Sequence, residues 1–280
     1  MSALVRFLKF IRFSHTVFAL PFALGSMMVA SHGWPGWRLF TLILLCMFFA
    51  RTAAMTFNRI VDWEIDKRNP RTVGRHRLLG KGVALASCVV SALLFLAATS
   101  FINRICFLLS PLALFIIFFY SLTKRFTHAS QFFLGLALSV APVGAWLAVT
   151  GSFAPPPLIL AAGVLCWVAG FDIIYATQDL VSDRNEGLHS LVVWLGIPRA
   201  LALVGWLHLL VLLALVLFGF SAHLGRIYFM GLLPLPFLLM YEDRMARTLD
   251  IEKINRTFFE SNAVIGFIFV LIVAADRLLG

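Results

Sequence analysis

Residues 38–72, "RLFTLILLCMFFARTAAMTFNRIVDWEIDKRNPRT", decide how this chain is to be read. Arg38 to Phe57 is a twenty-residue run whose interior carries a single charge, Arg51. At a rise of ~1.5 Å per residue such a run is long enough to cross the hydrocarbon core of a bilayer as a helix. It gives way at once to Asp62, Glu64 and Asp66, set among Arg59, Lys67, Arg68 and Arg71. Like charges four residues apart repel on a helix, so a membrane helix that ends in carboxylates at that spacing calls for a compensating partner.

The rest of the chain follows the first part of this pattern. With 280 residues, 61% hydrophobic, 13% charged and a mean hydropathy of +0.95, it is too apolar for a soluble domain, where charged residues reach roughly a quarter. Apolar runs recur at 13–30, 39–57, 83–100, 105–120, 132–150, 158–176, 200–220, 228–241 and 258–275. They predict an all-α, polytopic membrane protein: one domain over 1–280 built as a nine-helix bundle. The eighth run is the shortest and carries Pro234 and Pro236, which remove backbone donors that neighbours must replace.

Of 23 Lys and Arg, 18 fall on one set of alternating loops, and only Arg38, Arg104, Arg226 and Arg277 on the other. The positive-inside rule then predicts a cytoplasmic N-terminus and an external C-terminus, as expected in a bacterial inner membrane. The same asymmetry, with attraction to anionic headgroups, accounts for the net charge of +10 without nucleic acid. The start, "MSALVRFLKFIRFSHTVFALPF", imitates a signal peptide, but eight further spans favour a retained first helix. Within it, 4–13 interleaves Arg6, Lys9 and Arg12 with Leu and Phe, the pattern of a surface-lying amphipathic anchor. Cys46, Cys88, Cys106 and Cys166 all fall inside predicted spans with no CxxC pair and read as apolar fillers.

The acids are unevenly spread. Asp62, Glu64 and Asp66 form one cluster; Asp172, Asp179, Asp183 and Glu186 form another. Asp62 to Asp179 and Asp66 to Asp183 are both separations of 117 residues, and the helices preceding the clusters are four helices apart. Two similar four-helix halves, 13–120 and 132–241, with a ninth helix at 258–275, are therefore expected. If the second helix runs on past the membrane surface, Asn58, Asp62 and Asp66 drift by only ~40° and form one polar stripe. On the sixth, Asp172, Asp179 and Asp183 fall within about 40° of one another, with Tyr175 roughly 60° to one side. Asp172 is still at membrane depth, where an ionisable residue faces a cavity or a partner.

Two readings compete. The acids are either solvated helix ends paired with Arg59, Lys67, Arg68 and Arg184, or ligands of divalent cations, since carboxylate oxygens suit Mg²⁺ bridging to substrate phosphates. Equivalent clusters at corresponding places favour the metal. An ion-coupled transporter is the alternative function, but transporter ion sites sit near the midplane, whereas these acids lie at one surface beside Lys and Arg.

"NRIVDWEIDKRNPRT" resembles the NxxxDxxxD signature of the UbiA family of intramembrane aromatic prenyltransferases, and "FDIIYATQDLVSDRNEGLHS" resembles its YxxxDxxxD signature. "RFSHTVFALPFAL" and "YSLTKRFTHASQFFLGLALSVAPVGAW" are similar to members acting on 4-hydroxybenzoate or related quinone precursors. The resemblance implies Mg²⁺-dependent transfer of a polyprenyl group from polyprenyl diphosphate to a hydroxylated aromatic acid in ubiquinone or menaquinone biosynthesis, 4-hydroxybenzoate first and 1,4-dihydroxy-6-naphthoate next. It implies Asp62, Asp66, Asp179 and Asp183 as metal ligands, with Asn58, Asp172 and Tyr175 at the substrate. Arg71, Arg75, Lys124 and Arg125 are expected to grip diphosphate, Arg125 alternatively an aromatic carboxylate. Arg59 stands where some members have Asp, and "RHRLLGKG" where many read RxLPxG. His15, at the start of the first helix, is a candidate to contact the aromatic substrate or accept a proton; Arg51, an intramembrane charge two turns before Asn58, either faces the same cavity or pairs with Asp172; His128 and His189 are weaker candidates. Phe-rich helices, with 28 Phe in the chain, would line an apolar tunnel for the prenyl chain.

Overall fold

The computed structural model describes residues 2–68, 72–74 and 77–279, and all regular structure among them is helical. Eight segments are long and apolar enough to cross a membrane. The first crossing combines a 3₁₀ stretch, Phe13–Phe18, with α2 (Leu20–Ala30). It was expected as one helix, but Pro21 has no N–H to return to Val17, and the chain enters α2 through a tighter turn in which Ala19 N donates to Thr16 O. The next crossings are α3 (Trp37–Val61), α5 (Lys81–Ser100), α6 (Arg104–Thr123), α7 (Ser130–Thr150) and α8 (Pro155–Ala176). Beyond them α11 (Ile197–Ser221) and α14 (Ile251–Leu279) also span.

Both acidic stripes were expected on unbroken helices, and both are interrupted. α3 stops at Val61; Asp62 leaves helical geometry, and the short α4 (Trp63–Arg68) follows. The i→i−4 ladder survives the break, because Asp62 N donates to Asn58 O (3.0 Å) and Asp66 N to Asp62 O (2.7 Å), so the three side chains keep a common side. After α8, a 3₁₀ turn at Thr177–Asp179 precedes α9 (Leu180–Asn185). α10 (Leu191–Leu195) then leads into α11. Crowded carboxylates disfavour a continuous helix, and a short break moves them apart without losing the backbone bonds.

The eighth predicted crossing is two pieces, α12 (Arg226–Gly231) and α13 (Leu235–Ala246). Pro234 and Pro236 cannot donate to the carbonyls one turn back, and Leu232 O instead accepts from Leu235 N (3.0 Å). Neighbours supply the missing support. Asp276 of α14 accepts from Gly225 N (2.8 Å) and Tyr228 N (3.1 Å), capping α12 from outside. Glu242 of α13 accepts from Asn262 Nδ2 of α14 (2.9 Å), and Asp243 meets His208 Nδ1 of α11 (3.1 Å).

The central helix is α8, whose Leu160, Val164, Trp167, Val168 and Phe171 are buried against α2, α7, α11 and α14. Lipid tails are as apolar as these side chains, so contact packing and buried hydrogen bonds hold the bundle together rather than exclusion of water. The N-terminal α1 (Ala3–Phe10) is more than the expected surface anchor. Phe10 and Ile11 are buried against Ala84, with Met55, Ile60, Trp63, Leu78 and Leu79 around them. Arg12 closes this strap at φ +47°, a left-handed geometry that costs a non-glycine residue on the order of 1 kcal/mol.

Replacing Glu242 by Ala should lower stability by about 1–3 kcal/mol, because Asn262 loses a fully buried partner. Gln at 242 can still accept from Asn262 and should retain most of the wild-type value in thermal unfolding of the purified protein in lipid.

Candidate active site

A cavity of about 680 Å³ runs through the bundle and gathers most of the sequence-predicted residues at one end. Asn58, Asp62 and Asp66 from the α3–α4 break face it, as do Asp172 and Tyr175 from α8, Asp179 and Asp183 from the following turns, and Lys124 from the α6–α7 link. His15 and Arg51 line it as well. Arg71 and Arg75 lie outside the described residues. His128 and His189 sit against each other with ring centroids 4.7 Å apart, away from the cavity wall.

Burial sets three of the acids apart from solvated helix ends. Asp66, Asp179 and Asp183 are 7%, 7% and 4% exposed, too little for solvated helix ends. The surface cations take other acids: Lys67 meets Glu64 (3.0 Å) and Arg68 meets Glu186 (3.1 Å). Arg59, itself buried, comes within 3.6 Å of Asp66 Oδ2 through Nη1.

Lys124 stands between the clusters. Burial alone would push its ammonium pKa down, but the carboxylates of Asp183, Asp172, Asp179 and Asp62 outweigh burial and hold it above the ordinary lysine value. It stays a cation at any physiological pH. The peptide after the α9 turn fixes its backbone, with His189 N donating to Lys124 O (2.7 Å). Asp62 is pushed up by burial, against the hydrogen bond and charge of Arg125 that pull it down.

Arg125 does not face the cavity as a diphosphate or carboxylate clamp. Its Nη2 donates to Asp62 Oδ1 (2.8 Å) and to Val61 O (3.1 Å), and its Nη1 donates to Ser121 O (3.0 Å). One guanidinium fork thus ties the break in α3 to the end of α6, while Asn58 Nδ2 donates to the other Asp62 oxygen (3.3 Å). Arg51 is not paired with Asp172 in the way its depth suggested: it donates from Nη2 to Arg12 O (3.3 Å) and keeps a buried Nε without a partner.

Sequence reasoning did not single out Arg12 as a site residue. Its Nη1 donates to Tyr175 OH (3.4 Å), and it lines the cavity beside Arg51 and Arg59. Only the docking of α1 brings it there, so a local pattern of basic residues could not distinguish it from Arg6 or Lys9.

The carboxylates fit a magnesium site of a particular kind. Among the described residues no three acids, His or Cys converge closely enough to cage one ion. Mg²⁺ keeps waters and takes one or two carboxylates with substrate phosphates completing its shell, which suits two separated acid pairs facing one cavity.

The match of the UbiA prenyltransferase family covers residues 19–270. The chain belongs to the UbiA prenyltransferase family. It is 30% identical to the 4-hydroxybenzoate octaprenyltransferase of Marinobacter nauticus over 89% of this chain and 85% of that protein. A UbiA homologue from Aeropyrum pernix K1, solved in its apo form, superposes with a TM-score of 0.84 at 27% identity, covering 94% of this chain and 98% of that one. A homologue from Archaeoglobus fulgidus, bound to GPP and Mg²⁺, shares the fold at a TM-score of 0.75 and 22% identity, covering 97% and 99%. The enzyme class is therefore that of an aromatic prenyltransferase embedded in a membrane.

Arg125→Ala should lower kcat/KM by about 100-fold, because it frees Asp62 and the α3 break to move by an ångström or so. Arg125→Lys keeps the charge without the fork and should fall between the two, with thermal unfolding showing that both variants remain folded.

Proposed function

We propose that this UbiA-family enzyme transfers a polyprenyl group from polyprenyl diphosphate to 4-hydroxybenzoate on a quinone pathway, with Mg²⁺ as cofactor. The observation that carries the reading is the cavity itself, polar and interleaved with cations at one end and apolar along the rest. The name of the Marinobacter nauticus relative supports the acceptor, and the Archaeoglobus fulgidus homologue bound to GPP and Mg²⁺ supports the donor class and the metal. The positive-inside asymmetry supports a cytoplasmic position for the charged end.

Asp62 and Asp66 on one side and Asp179 and Asp183 on the other would hold the metal. Bound there, Mg²⁺ supplies charge neutralisation to the diphosphate as its bond to carbon breaks. Lys124, fixed between the two clusters, meets the same oxygens as a point charge. The C1–O bond of the donor breaks, and diphosphate leaves with the electron pair. A ring carbon of the acceptor then bonds to the allylic C1 and loses its proton. Asp172, three residues before Tyr175 on the same cavity wall, would take that proton. Apolar walls keep water from capturing the allylic cation.

Arg51 suits the acceptor's carboxylate. It lies seven residues before Asn58, or about 10 Å along the helix, and its Nε has no partner. A carboxylate held there would set the acceptor's ring toward the acid motifs, and the name of the Marinobacter nauticus relative favours 4-hydroxybenzoate.

Product formation by mass spectrometry tests the reading, with purified protein in lipid, Mg²⁺, a prenyl diphosphate and each acceptor offered separately. Asp62→Ala and Asp179→Ala should abolish product while leaving the protein folded, and excess chelator should do the same. Wild-type turnover in either variant or in chelator refutes the assignment. Arg51→Leu should raise the KM for 4-hydroxybenzoate by about tenfold or more while leaving donor binding unchanged, as loss of a charge-assisted hydrogen bond predicts.

A further inference from the structure

The N-terminal strap has two faces. One packs Phe7, Leu8 and Phe10 into a cluster with Leu78, Leu79 and Ala84. The other is uncovered: Arg6 and Lys9, neighbours at i and i+3, are exposed together with Val5 and, at the start of the helix, Leu4. Cations beside exposed aliphatic side chains on a short helix suit the headgroup layer of a bilayer better than water.

Charge around the strap is of one sign. No Asp or Glu occurs in 1–61 or in 67–171, so the strap and the 78–84 segment beneath it contain none. Lys81 is exposed on that segment, between the Leu79 and Ala84 on which α1 rests. Among the described residues Arg6, Lys9 and Lys81 have no ion-pair partner, and Glu64, which feels the charge of Lys81, is held by Lys67 (3.0 Å). Cations gathered without acids need anions from outside the chain, and an anionic leaflet supplies them.

Arg12 carries this surface into the site. Its N–H donates to Lys9 O (3.2 Å), and its left-handed backbone then turns the chain away from α1. Its Nη1 reaches Tyr175 OH (3.4 Å), while its carbonyl accepts from His15 N (3.0 Å) and Arg51 Nη2 (3.3 Å). Among the described residues Arg51 donates to nothing else, so the proposed acceptor anchor is aimed by a carbonyl that is in place only while α1 is docked.

We propose that the exposed face of α1, with Lys81, binds anionic phospholipid headgroups, and that this binding assembles the acceptor end of the cavity by fixing Arg12 and, through its carbonyl, Arg51. An eight-residue helix does not persist alone in water. Docking alone brings Arg6 and Lys9 onto the segment that carries Lys81, so headgroups bridging these cations favour the docked strap over the free one. The effect on turnover rests on the proposed prenyl transfer.

The test places the purified protein in lipid discs of phosphatidylcholine, alone or with about a third phosphatidylglycerol, the anionic component. In the wild type, phosphatidylglycerol should lower the KM for 4-hydroxybenzoate about fivefold or more and leave the KM for geranyl diphosphate within about twofold. Arg6→Gln/Lys9→Gln should match the wild type in phosphatidylcholine and gain nothing from phosphatidylglycerol. Amide hydrogen exchange gives a readout without turnover: phosphatidylglycerol should slow exchange over residues 5–12 in the wild type and not in the double variant. An equal fall in acceptor KM in both proteins, or exchange over 5–12 that phosphatidylglycerol leaves unchanged, overturns the proposal. Equal protection by inorganic phosphate in phosphatidylcholine discs would assign the surface to a soluble anion and overturn it too. If the wild type forms no product in either lipid, the prenyl-transfer reading fails, and hydrogen exchange alone decides whether the strap binds headgroups.

Discussion

Five carboxylates share the wall of one membrane-embedded cavity, and the structure depends on how that charge is balanced. Lys124 sits among the acids of both clusters, and its neighbour Arg125 holds Asp62. Both belong to the short link between α6 and α7, so this link fastens the α3 break to the α8 end. The arrangement explains why the acids survive at such depth. Each is opposed by a cation fixed on another element, rather than by mobile surface lysines that salt would screen.

The bilayer imposes the second constraint. Backbone groups in lipid need internal partners, so each interruption of a helix must be repaired by something nearby. The repair at Asp62 is local, through bonds that continue across the break, and at the 3₁₀ turn Thr177 N donates to Ile174 O; the gain is a set of carboxylates turned into a cavity. At 232–234 the repair is distant. Asp276, Glu242 and Asn262 bridge α12 and α13 to α14, far from the acids. One kind of break shapes the candidate site, while the other only has to be tolerated.

Most of the fold was legible because hydropathy is written residue by residue. The apolar runs correspond to helices whose ends differ by a few residues, and the runs that divide are the eighth, with its two prolines, and the first, at Pro21. The acid motifs were legible because their spacing repeats. The failures share a cause in tertiary contact. Arg125 read as a substrate clamp from charge and loop position, and nothing local indicates that Val61 O and Ser121 O claim its fork. Arg12 read as part of a membrane anchor until Phe10 and Ile11 proved to be docked beneath Leu78 and Leu79. The Glu242–Asn262 pair left no trace in the sequence, since two polar residues on different helices carry no periodicity that connects them.

The two ends of the cavity meet opposite requirements, and the packing reflects both. Ionising a diphosphate needs charges held within a fraction of an ångström, and that end is crossed by bonds among α3, α4, α6 and the turns after α8. An aliphatic chain needs no such order. Fixing it would cost rotamer entropy for each unit immobilised and return little over contact with lipid, which is equally apolar. The apolar part of the cavity, walled by side chains such as Ile43, Phe95, Ile117 and Leu138, has only to exclude water.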